Sequence, residues 1–70
     1  MDKKAIKVIS KYLDAEKKKG HQKMHVIANL GFTYHRLYNL MSKGAVPTND
    51  EQKRLHAKLG LSRDDMLGKL

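Results

Sequence analysis

Seventy residues carrying a formal net charge of +8 and no cysteine make one small basic domain, 1–70, close to the lower limit for folding alone. No disulfide framework or thiolate zinc site can staple it, no apolar run approaches a membrane span, and no charged-then-apolar leader opens it. A cytoplasmic protein is therefore expected, held together by helix packing, and its positive charge favours a polyanionic partner.

In chain order, the first helix is expected from about Asp2 to Lys18. Ile6, Ile9 and Leu13 form its apolar seam, widened by Ala5, Val8 and Tyr12, while Lys3, Lys4, Lys7 and Lys11 take the other side. A basic amphipathic helix can also lie on a membrane surface, but a domain this small needs the stripe for its core. Gly20 is a natural stop, with Lys17, Lys18 and Lys19 at the negative end of the helix dipole.

The stretch from Lys23 to Lys43, KMHVIANLGFTYHRLYNLMSK, organises the rest. Val26, Ile27 and Leu30 recur at helical spacing, and Gly31 follows where a helix ends most easily in a left-handed residue. Phe32 is expected as a plug inside the turn and Thr33 as the N-cap of the next helix. Leu37, Leu40 and Met41 supply an inward face, leaving Tyr34, His35, Tyr38 and Asn39 outward. Two helices joined this tightly form a helix-turn-helix, over about 23–42, whose second helix suits a major groove.

Ser42 to Pro47 reads as a loop punctuated by Gly44 and Pro47. Thr48-Asn49-Asp50-Glu51 is a capping box opening a fourth helix, Asn49 to about Lys58, with Leu55 and Leu59 inward and Gly60 at its end. Ser62-Arg63-Asp64-Asp65 repeats the cap and opens a fifth, whose apolar side is Met66, Leu67 and Leu70. The fold class is all-α: five short helices without strands or repeats.

The charge is unevenly placed. Met1 to Lys23 carries eight Lys against Asp2, Asp14 and Glu16, whereas Met24 to Asn49 has no carboxylate and keeps Arg36 and Lys43. A surface facing phosphates requires such a carboxylate-free stretch. A run such as Lys17-Lys18-Lys19, by contrast, is in itself equally consistent with a solvated face.

From Lys23 to Leu67 the chain resembles the lambda-repressor/Cro-type (XRE-like) helix-turn-helix domains of phage and bacterial regulators. Gly31, Thr33 and Leu37 match the family's turn glycine, small hydroxyl residue and apolar residue. Pro47 and Thr48 match its proline before a capped helix, and Leu59-Gly60-Leu61-Ser62 its Leu-Gly-Val-Ser-type corner, followed by Asp64 and Met66-Leu67. Departures are Ile27 where a small Ala is usual, Met41 where a glutamate is frequent, Lys43 where a glycine is frequent, and His56 where Ala is usual.

The resemblance implies a compact five-helix lambda-repressor-like domain that binds double-stranded DNA sequence-specifically as a transcriptional regulator, a small Cro-like phage or mobile-element repressor working at the bacterial nucleoid. It implies base reading by Tyr34, His35 and Asn39, with Tyr38 beside them, and a phosphate clamp at Lys23; Thr33, Arg36 and Lys43 are further phosphate candidates. The residue types suit these roles: Asn pairs bidentately with adenine, His donates to guanine or phosphate, and Tyr packs on a thymine methyl or bonds a phosphate. Family members bind near-palindromic operators as dimers, so a homodimer on DNA is expected, with Leu61, Met66, Leu67 and Leu70 as interface candidates. A chain ending so soon after the fold is expected to carry no sensor domain.

Other chemistry has little support. His21 and His25 stand at i,i+4, but no Cys and no HExxH pattern accompanies them, so neither a metal nor another cofactor is expected. Ser10, Ser42 and Ser62 have loop, cap or helix explanations, and Asp64 and Asp65 suit a helix first turn, so no enzyme is expected. The rival reading is a protein-binding module, an antirepressor or co-regulator, using Tyr34, Tyr38 and Met41 as an aromatic and methionine patch.

Overall fold

The computed structural model describes residues 1–68, and these form five α-helices with no strands. Leu70 therefore lies outside the described residues. Helix α1 spans Lys3–Lys18, one residue later than expected, because Asp2 serves as its N-cap and accepts from the Lys4 amide at 3.2 Å. It ends in a Schellman arrangement: Gly20 takes φ +90, its amide donates to Lys17, and the His21 amide donates to Glu16.

Helix α2 spans Lys23–Asn29 and α3 spans Tyr34–Ser42. The turn between them repeats the Schellman geometry, with Gly31 at φ +86 donating to Ala28 and Phe32 donating to Ile27. Phe32 is buried, closing the turn from inside. Thr33 caps α3 by accepting from the Arg36 amide at 3.2 Å. Helix α4 spans Asn49–Leu59 behind the Thr48/Glu51 capping box, and α5 spans Arg63–Leu67 behind a second box formed by Ser62 and Asp65.

The core gathers Ala5 and Ile9 from α1, Ile27 and Leu30 from the α2 end, and Leu37 and Leu40 from α3; Phe32, Leu55, Leu61 and Met66 complete it. Helix α1 packs against α2 and α5, α2 against α3, and α4 against α5. The α1 seam runs through Ala5 and Ile9 rather than through Ile6, which is only half-buried. Met41 and Leu59 lie half-buried at the core margin.

The last turn corrects an expectation. Leu61 and Met66, candidates for a dimer interface, are 3% and 1% exposed and complete the monomer core. So small a domain draws both of these apolar side chains inside, whereas Leu67 stays 38% exposed. Before α1, the Asp2 amide donates to the Met66 carbonyl at 2.8 Å, and Lys4 reaches Asp65 at 3.1 Å, tying the start of the chain to α5. No helix among the described residues is long and apolar enough to cross a membrane.

Candidate functional site

Burial of Leu37 and Leu40 fixes the rotation of α3. Because residues four apart share a helix face, Tyr34 with Tyr38 and His35 with Asn39 then form two adjacent columns pointing away from the core. Tyr34 and Tyr38 are 51% and 46% exposed, His35 is exposed and Asn39 is half-buried. The four residues named from the sequence thus come together on one helix.

A lysine flanks each tyrosine. Lys23, the first residue of α2, places its Nζ 5.5 Å from the Tyr34 ring centroid, and Lys43, closing α3, places its Nζ 6.0 Å from that of Tyr38. Both distances are at the reach of a cation–π contact, which steadies a flexible lysine without consuming its charge. The Lys43 amide donates to the Asn39 carbonyl, as does that of Ala45, so the loop folds back over the end of α3.

Arg36 is placed differently from the phosphate position expected for it. Its Nε and Nη2 donate to the two carboxylate oxygens of Glu51, each at 2.8 Å, and Nη2 also reaches the Val46 carbonyl at 3.0 Å. These donors are thus turned into the fold, joining α3 to the start of α4. The Arg36 guanidinium, helped by the Thr48 amide at 2.8 Å, holds the Glu51 carboxyl at a pKa of about 2, against the opposing effect of burial. In return Glu51 raises the Arg36 pKa.

Two contacts have no signal in the sequence. Glu51 reads locally as a capping residue, and nothing in that motif signals a partner fifteen positions away. Arg54 carried no signal at all, yet its Nη1 donates to the Gly31 carbonyl at 2.8 Å and braces the turn of the helix-turn-helix.

Between the second half of α1 and the paired helices α2 and α3 lies an open groove of about 400 Å³. Leu13, Ile27, Leu37 and Met41 make its apolar floor, and Lys17, Lys23 and the two tyrosines stand around it. Elsewhere, the His21 Nδ1 lies 2.6 Å from Glu16, and no three His, Cys, Asp or Glu residues converge on a point among the described residues.

No family model, curated protein or solved structure matches the chain.

Proposed function

We propose that this chain is a sequence-specific double-stranded DNA-binding transcriptional regulator, a small Cro-like repressor with a lambda-repressor-like fold. The reading is supported above all by the outward face of α3, where Tyr34, His35, Tyr38 and Asn39 lie together between the cationic ends of Lys23 and Lys43. Glu51, which meets α3 through Arg36, has its charge offset inside the fold rather than opposed to a phosphate.

In this reading α3 enters the major groove. Asn39 and His35 address base edges, the tyrosines contact thymine methyls or phosphates, and Lys23, Lys43 and the Thr33 hydroxyl hold the backbone. The protein works in the cytoplasm at the nucleoid, as a homodimer on a near-palindromic operator. Of the interface candidates among the described residues, Leu67 is the one whose side chain stays exposed.

Selection from a random duplex pool, followed by titration at two salt concentrations, tests the proposal. It expects an enriched site and an affinity falling by about 0.9 log units per log unit of salt for each phosphate neutralised. A folded sample indifferent to every duplex at low ionic strength overturns it. The rival reading, a protein-binding module, keeps exposed Tyr34 and Tyr38, but Met41 of its patch is half-buried. A partner bound through those rings would show little dependence on salt.

A further inference from the structure

We infer that Lys17, of the three consecutive lysines closing α1, belongs to the nucleic-acid surface and seats a DNA phosphate in the groove between α1 and α3. The inference rests on the DNA-binding reading and adds to it a third element, α1.

Composition treats Lys17, Lys18 and Lys19 alike; the helix does not. Successive residues are turned by about 100°, so the three amines leave α1 in different directions. Lys17 lines the groove together with Lys23, Tyr34 and Tyr38, the side chains already placed at the proposed interface. Lys18 is exposed and does not line it. Lys19 turns toward Glu16, with Nζ 3.9 Å from Oε1, and that carboxylate faces His21 on another side of the helix.

The groove matches a sugar-phosphate strand in chemistry as well as position. Its floor offers carbon to the deoxyribose, while Lys17 and Lys23 offer two ammonium groups to the phosphate. Tyrosine hydroxyls add neutral donors. The groove is continuous with the face of α3, so a strand passing that face would run into it. Asp14 also lines the groove, one helical turn before Lys17, and its charge opposes the same phosphate. That opposition gives the inference a gain-of-function test.

The experiment is fluorescence anisotropy with a labelled random-sequence duplex across a salt series, which needs no known operator. Lys17→Ala is expected to weaken binding several-fold and to lower the salt slope by about one, with Lys17→Arg restoring both. Lys18→Ala and Lys19→Ala remove the same formal charge and are expected to leave the slope unchanged. Asp14→Asn is expected to tighten binding several-fold, and a tighter-binding variant cannot be explained by misfolding.

A salt slope in Lys17→Ala equal to that in Lys18→Ala, or an Asp14→Asn variant no tighter than the parent chain, overturns the inference while leaving DNA binding intact. A parent chain that binds no duplex overturns the DNA reading and this inference together.

Discussion

Arg36 and Glu51 are joined by a two-pronged ion pair, Nε to Oε2 and Nη2 to Oε1, both at 2.8 Å, which pins α3 to the first turn of α4. The same carboxylate accepts from the Thr48 amide, so one side chain caps a helix and fixes its neighbour. Planar bidentate geometry makes this a stronger contact than a surface lysine pair.

The pair predicts an acid-sensitive fold. Glu51 has its pKa lowered from 4.5 to about 2, so its stabilisation is complete above about pH 4.5 and is lost as pH falls toward 2. Asp65, held low by the Ser62 amide and then by Lys4, adds a loss in the same direction. Urea unfolding of Glu51→Gln followed by circular dichroism should show a loss of about 2 kcal/mol at pH 7, discounted for partial solvation, shrinking toward pH 2.5. A constant difference between variant and parent chain across that range would refute the assignment.

Gly31 predicts a coupling between two residues. Its φ of +86 disfavours any side chain, and an added Cβ would lie 2.8 Å from the Arg54 Cδ. Gly31→Ala is expected to cost about 1–2 kcal/mol from the left-handed backbone alone, with a further loss from displacing Arg54. In an Arg54→Ala background only the backbone part should remain. The same cost in both backgrounds would show that the brace contributes nothing.

For the proposed interface, Asn39→Ala should cost about 1–3 kcal/mol on the selected site and relax base preference at one position. Lys23→Ala should weaken specific and random duplexes alike and flatten the salt slope by about one. Equal losses on both duplexes for Asn39→Ala, or a change of specificity for Lys23→Ala, would exchange their roles.

The fifth helix separates core from surface over adjacent positions. Met66→Ala should cost about 2–5 kcal/mol through the cavity it leaves, whereas Leu67→Ala should stay within about 0.5 kcal/mol in the monomer. Any larger effect of Leu67→Ala is expected in sedimentation on DNA, where dimerisation is read directly.

Local chemistry was legible without coordinates wherever neighbours in sequence decide the outcome. The Thr48 and Ser62 boxes, the Thr33 cap, the Gly31 turn and the burial of Leu37 and Leu40 all follow from residues within a turn or two of one another. They are enough for five helices and for the face of α3 carrying Tyr34, His35, Tyr38 and Asn39. Tertiary structure alone decided what depends on distant partners. It turned Arg36 onto Glu51, drew Leu61 and Met66 into the core, and set Lys17 along the groove but Lys19 beside Glu16. A charge pattern records which groups are present, whereas their partners depend on how separate helices are packed, and periodicity within one helix carries no record of that.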